Sequence, residues 1–350
     1  MPKQAIIQSS IEAVDFINTP IPTPGDKEVI IKVVVAGTNP KDWKMPLWQD
    51  LAHNSGDDMA GIVHSVGKDV YEFKPGDRVA AVHETGKENG SFAEYAVAPD
   101  WTTFHIPHNI SFEEAATIPL AALTAALALY SDLKLPAPYG PVRLAEGPII
   151  GVAGQASDYA SPLVDYVVDY RKGGDALVAA VREIAKKEGL PGGKIPNVFD
   201  AISDAGSLEA TLRFVDPDAG TVSTVLPPKL FAKDKENYAY PAGVTGINSA
   251  VPQVWSTHKD FGYLWSRYLG RLLESGALKP HPYEVVPGGL RGVLTGLQKL
   301  RDGKASAVKY VYRIDETGDV PSYLPGAKES DSGSQPSQNS QQLRDFSFTA

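Results

Sequence analysis

The stretch Glu28-Val29-Ile30-Ile31-Lys32-Val33-Val34-Val35-Ala36-Gly37-Thr38-Asn39-Pro40-Lys41-Asp42 sets the reading of the first third of the chain. Residues 28–36 are dominated by Val and Ile, the composition of a strand packed on a core, and Gly-Thr-Asn-Pro then interrupts it. Working outward, similar short β-patterned runs cover residues 4–8, 61–66, 78–82 and 91–97. Pro24-Gly25-Asp26 and Lys74-Pro75-Gly76-Asp77 precede two of the runs as turns, where Pro presets φ and Gly permits positive φ. The first third therefore reads as a β-rich, barrel-like domain. Ser111 followed by Glu113 and Glu114 reads as an N-cap with acidic first-turn residues, so a helix is expected to begin near Phe112.

From Pro148 the rhythm changes. Strand patterns at 149–153, 166–170, 197–202 and 220–225 alternate with helical patterns at 175–188 and from Ser207, which argues for a parallel, doubly wound sheet. Residues 262–274 and 290–302 read as amphipathic helices, and 308–314 as a closing strand that returns to the first domain. Beyond about Lys328 the chain turns to Ser, Gln, Asp and Gly, too polar to support a core, and residues 326–350 are expected to be a disordered tail.

Composition limits the function. The chain has 350 residues, enough for two domains, with 43% hydrophobic and 21% charged residues. A net charge of -9 without a basic stripe argues against nucleic-acid binding. With no cysteine, disulfides, thiolate zinc sites, iron–sulfur clusters and a cysteine nucleophile are excluded. MPKQAIIQSS has no basic-then-apolar leader pattern, so the expected compartment is the cytoplasm. The apolar run at 115–130 falls short of the roughly 20 residues a bilayer needs and is expected to be a buried helix rather than a membrane span.

Four segments carry a family resemblance: Gly37-Thr38-Asn39-Pro40-Lys41-Asp42, Gly56-Asp57-Asp58-Met59-Ala60-Gly61-Ile62-Val63, Phe73-Lys74-Pro75-Gly76-Asp77-Arg78-Val79 and Gly90-Ser91-Phe92-Ala93-Glu94-Tyr95. Ile106-Pro107, Glu113-Glu114-Ala115-Ala116 and Leu123-Thr124-Ala125-Ala126-Leu127 continue it in the same order. The pattern, over residues 1–325 with one gap, resembles zinc-free, quinone reductase-like medium-chain dehydrogenase/reductases. It is most similar to the fungal ToxD-like trans-acting enoyl reductases that partner polyketide synthases.

The resemblance implies an α/β fold. A GroES-like β-barrel catalytic domain would come from residues 1–125 and 280–325, and a Rossmann-type NADPH-binding domain from 126–279. It implies NADPH as cofactor, a small-molecule or carrier-bound enoyl substrate, and a monomer or homodimer. It places Asn39, Lys41, Asp42 and Thr124 at the reacting groups, with Pro40, Lys41, Asp42 and Trp43 beside the nicotinamide. Gly154, Gln155, Ser157, Tyr159 and Tyr170 are placed along the adenosine and 2′-phosphate, and Ser306, Ala307 and Val308 on a segment closing over the nicotinamide. Zinc-dependent relatives carry a Cys and a His-Glu pair, where this chain has no Cys and has Asp57-Asp58, so no catalytic zinc is expected. Asp57 and Asp58 are candidates either for acid–base work or for structural hydrogen-bond acceptance. No acidic residue ends the 149–153 strand, which favours NADPH over NADH.

One part of the family pattern is missing. Only the 13 residues 136–148 separate Leu135 from Ile149. The family's first strand, glycine turn and helix need roughly 20 or more. That unit holds the pyrophosphate on backbone N–H groups, and neither 151–154 nor Gly192-Gly193 offers a substitute. The expected fold is therefore a GroES-like barrel plus a Rossmann-type domain lacking its first strand–glycine turn–helix. Two competing functions follow: a quinone or carbonyl reductase of small substrates, and a non-catalytic pseudoenzyme.

Overall fold

The structure is a computed structural model that describes residues 1–136, 138, 150–153, 165–204 and 206–321. The expectations for Gly154, Gln155, Ser157 and Tyr159, for residues 139–148 and for the tail from 326 lie outside the described residues.

In chain order the strands are β1 (Lys3–Ile7), β2 (Val14–Asn18), β3 (Glu28–Gly37), β4 (Asp58–Val66), β5 (Arg78–Val82), β6 (Tyr95–Pro99), β7 (Thr103–His105), β8 (Ile150–Ala153), β9 (Tyr166–Asp169), β10 (Asn197–Asp200), β11 (Thr221–Thr224), β12 (Thr245–Asn248), β13 (Tyr283–Val285) and β14 (Lys309–Arg313). The helices are α1 (Pro40–Gln49), α2 (Phe112–Ala115), α3 (Pro119–Ala126), α4 (Gly174–Lys187), α5 (Ser207–Phe214), α6 (Pro228–Phe231), α7 (Lys259–Glu274) and α8 (Val293–Arg301). The chain divides into two compact units, residues 1–123 with 252–350, and residues 124–251.

In the first unit β3 is the hub. It pairs antiparallel with β4 along one edge, and on the other with β6 through Glu28–Lys32 and with β14 through Val35–Gly37. Register shifts at Ile30/Ile31 and Val33/Val35 bend the strand so that one edge serves two partners. A seven-stranded sheet results, in the order β13-β14-β3-β4-β5-β7 with β6 on β3, around a core that includes Ile31, Met59, Phe92, Leu297, Tyr310 and Tyr312. Two glycines are required by close approach. A Cβ on Gly61 would sit 2.2 Å from the Lys32 carbonyl oxygen, and one on Gly37 2.4 Å from that of Ala116.

The middle boundary differs from the expectation of 126–279. Helix α7 belongs to the first unit, because its buried face (Gly262, Trp265, Ser266, Leu269, Leu273) and its charges are committed there. Arg267 pairs with Glu72, donates to the carbonyls of Asp100 and Thr103, and stacks 4.0 Å from the Tyr263 ring. Trp101 Nε1 also donates to the Val254 carbonyl at 2.8 Å.

The second unit contains two parallel ladders among its described residues, β8–β9 and β10–β11–β12, instead of one sheet. A doubly wound dinucleotide sheet runs 3-2-1-4-5-6. With its first strand removed, that order leaves a two-strand ladder and a three-strand ladder, which is the pairing observed. Helix α4 covers the ladders with Leu177, Val178 and Val181, and Val198 of β10 packs into both small cores. The apolar run after Ser111 is longer than its sequence reading. Phe112–Asp132 is long and apolar enough to cross a membrane by length and composition alone, and half of its most apolar stretch is buried in the fold.

Candidate active site

The Asn39–Asp42 motif becomes the first turn of α1. Asn39 is the extended N-cap (φ −137°, ψ 155°), Pro40 occupies N1, where no backbone N–H is needed, and Asp42 at N3 reaches back to the Asn39 N–H at 2.8 Å. Pro46 lies inside the same helix and cannot donate to the Asp42 carbonyl four residues earlier. Ser55 Oγ fills that place, donating to Asp42 O at 2.8 Å, and its own carbonyl accepts from Lys41 Nζ. A proline in the helix thus recruits the loop residue that helps to hold the lysine.

Lys41 Nζ lies 2.6 Å from Asp57 Oδ2 and 3.0 Å from Asp42 Oδ1, so three oxygens surround an ammonium with three protons. The Asp42 oxygen is a charge contact without an aligned hydrogen bond. Burial works against the ammonium, but Asp42 and Asp57 outweigh it and raise the Lys41 pKa. Asp42 is fully buried. Desolvation, opposed by Lys41 and reinforced by the Asp57 charge, lifts its pKa to about 7. For Asp57 burial raises the value, but Lys41 and the hydrogen bond from His83 more than compensate, and it is lowered. Two neighbouring carboxylates thus have different jobs: Asp57 stays ionised, and Asp42 exchanges a proton near neutrality.

Asp58 belongs to a second, adjacent cluster. It is fully buried, accepts from Asn39 Nδ2 at 3.0 Å and Leu120 N at 2.7 Å, and pairs with Lys309. Lys309 Nζ also lies 3.3 Å from Asn39 Oδ1 and 3.4 Å from the Thr117 carbonyl. Of the two readings offered for Asp57 and Asp58, acceptance is the one the geometry supports.

Two of the remaining expected residues belong to helix α1. Trp43 is half-buried against the first core, and Pro40 is exposed. Ala307 takes a left-handed backbone (φ 55°), Val308 packs on the core, and Ser306 is exposed, all just before β14. Thr124 opens the second unit on α3, and Tyr170 is exposed in the 3₁₀ turn after β9.

Two site residues escape a sequence reading and are recoverable from register. β4 and β5 pair Asp58 with Val82, which sets His83 opposite Asp57, and the His83 N–H donates to the Asp57 carbonyl at 2.9 Å. β14 and β3 pair Val311 with Gly37, which carries Lys309 to Asn39.

Residues 25–108 match the alcohol dehydrogenase GroES-like domain. Over 326 residues the chain is 37% identical to the trans-enoyl reductase fsr4 of Gibberella fujikuroi, covering 83% of this chain and 92% of that one. The chain belongs to the fungal trans-enoyl reductases. A second member, the trans-enoyl reductase ACTTS2 of Alternaria alternata, is 30% identical over 351 residues, covering 89% of this chain and 99% of that one. Among solved structures the enoyl reductase CurK matches with a TM-score of 0.69 at 18% identity, covering 89% of this chain and 98% of that one. A quinone oxidoreductase of Pseudomonas syringae pv. Tomato DC3000 matches with a TM-score of 0.68 at 20% identity, covering 89% and 100%. The chain therefore has the medium-chain dehydrogenase/reductase fold, a GroES-like domain with a Rossmann-like one, and belongs to a family of reductases.

Proposed function

We propose that the chain reduces the double bond of α,β-unsaturated thioesters carried by a polyketide synthase, with NADPH as hydride source, without zinc, in the cytoplasm. The observation that carries this reading is the Asp42–Lys41–Asp57 cluster, built from the 37–42 and 56–63 segments of the chain. Reduction of an enoyl thioester places a hydride on the β-carbon and a proton on the α-carbon. The described residues bear on the proton half. Lys41 Nζ is the donor with some solvent access (side chain 17% exposed), and Asp42 behind it holds the proton that restores the ammonium.

The described residues do not fit a pyrophosphate. At the β9–Gly173–α4 passage Asp169 already accepts from the Arg171 N–H, and after β10 Asp200 accepts from Ile202 N and Ser203 N. Both turns face inward on a carboxylate, the reverse of an anion site. These two turns supply no pyrophosphate cradle, which together with the two-part sheet favours a second reading, a non-catalytic member of the family.

An NADPH fluorescence titration of the 350-residue protein, beside a version carrying a restored strand–glycine turn–helix after Leu135, separates the two. Micromolar binding by the short form, with turnover of enoyl thioesters above quinones and simple carbonyls, supports the enoyl reductase. Binding by the restored form alone supports the non-catalytic reading.

A further inference from the structure

His83 lies one residue beyond β5 and is 2% exposed. Its Nε2 is 2.9 Å from the Glu88 carbonyl, and its Nδ1 is 3.0 Å from Asp57 Oδ1. A carbonyl oxygen only accepts, so Nε2 carries a proton. Nδ1 faces a carboxylate that Lys41 and the Thr85 hydroxyl hold in its ionised, accepting form through the other oxygen. Both ring nitrogens must therefore donate, which a neutral imidazole cannot do. The titratable groups linked to the ring include Asp57, Lys41 beyond it, Asp42 beyond that, and His53, whose pKa burial lowers; Glu84 and Glu88 lie in the same loop. Among the described residues, the ion pair that the ring makes is with Asp57.

We propose that His83 is a positioning residue for Lys41: a buried imidazolium, anchored on the Glu88 carbonyl, fixes Asp57 from one side so that this carboxylate grips the Lys41 ammonium from the other. The chain of contacts runs Glu88 O, His83, Asp57, Lys41, Asp42: each of the first three links is a donor against an acceptor, and the last is a charge contact. Without the ring Asp57 keeps its charge but loses its orientation, and Lys41 loses the oxygen that sets its direction. The functional meaning rests on the reading of Lys41 as the acting residue; the structural claim does not.

Two measurements test the claim without turnover. At pH 7, ¹H–¹⁵N NMR of histidine-labelled protein is expected to show protons on both His83 nitrogens; a single neutral tautomer overturns the proposal. Limited acetylation followed by mass spectrometry then compares Lys41 with Lys68, whose side chain is 71% exposed. His83→Phe is expected to speed Lys41 labelling about tenfold, the worth of one charge-assisted hydrogen bond, with His83→Asn between it and wild type and Lys68 unchanged. An unchanged Lys41 rate in folded His83→Phe overturns the proposal. If His83→Phe does not fold, the NMR result on the wild type decides. Where the protein turns over, His83→Phe lowers kcat about tenfold at an unaltered cofactor KM, and a loss in cofactor KM alone refutes positioning. Failure of the reductase reading shows as absent turnover while the NMR and labelling results stand.

Discussion

Replacing Asp42 by asparagine tests the electrostatics of the site through stability. The native carboxyl titrates at about 7 and the ordinary one at 3.8, so between these values the folded chain holds a proton that the unfolded chain has released. The sign follows: with the native pKa raised, the contribution is complete below about pH 3.8 and is lost as pH rises through 7. From pH 5 to pH 8 the native group gives up its proton against an unfolded group already ionised. Integrated over that interval the loss is about 2–3 kcal/mol, at roughly 1.4 kcal/mol for each pH unit of difference. Asp42→Asn has nothing to titrate there. Its fixed costs, a lost lysine partner and a changed bond to the Asn39 N–H, are the same at both pH values. The variant is therefore expected to gain about 2–3 kcal/mol on the wild type between pH 5 and pH 8. Urea unfolding followed by tryptophan emission reads the right part of the molecule, because all five tryptophans (Trp43, Trp48, Trp101, Trp255 and Trp265) lie in the unit that contains Asp42. A difference between the two proteins that stays constant from pH 5 to pH 8 would refute the reasoning.

Three further outcomes are open to the same assay. Lys309→Met strands the fully buried Asp58 without its cation and is expected to cost about 3–5 kcal/mol; adding Asp58→Asn should recover a large part, and an additive double variant would deny the pairing. Ser55→Ala leaves the Asp42 carbonyl, already deprived of a donor by Pro46, unpaired, at about 1–3 kcal/mol; a neutral effect would show that the hydroxyl is dispensable. Gly61→Ala drives a methyl into the Lys32 carbonyl across β3 and β4 and is expected to cost about 3 kcal/mol or more, where a loss under about 1 kcal/mol would contradict the close packing.

Local chemistry made parts of this fold legible. Ser111 caps a helix that starts at Phe112, closed by Glu114 in a reciprocal pair, and the strand after Lys74-Pro75-Gly76-Asp77 runs Arg78–Val82 as its turn indicates. Other elements were hidden by conflicting signals. Helix α1 carries an internal proline, which speaks against a helix, while its Asn39-Pro40…Asp42 start speaks for one; the tertiary bond from Ser55 resolves the conflict. The strand expected at 91–97 begins only at Tyr95, because Ser91 is drawn to the Gly56 carbonyl. At the site, Lys41 and Asp42 stand within a contiguous motif and are readable. His83 and Lys309 reach the same place through pairings with residues 26 and 270 positions away, and no local pattern announces such a partner.

The position of β14 beside β3 has a consequence for biosynthesis. A ribosome delivers β3 nearly three hundred residues before the strand that occupies its second edge, and residues 124–251 emerge as a complete unit in between. Until Lys309–Arg313 arrives, the Val35–Gly37 edge of the hub strand is without its native partner, and closing so long an intervening loop is slow. The nascent chain therefore passes through a period in which its most β-prone segment is a template for wrong pairing. Slower translation lengthens that exposure, so the yield of soluble protein should depend on how quickly the last hundred residues are made.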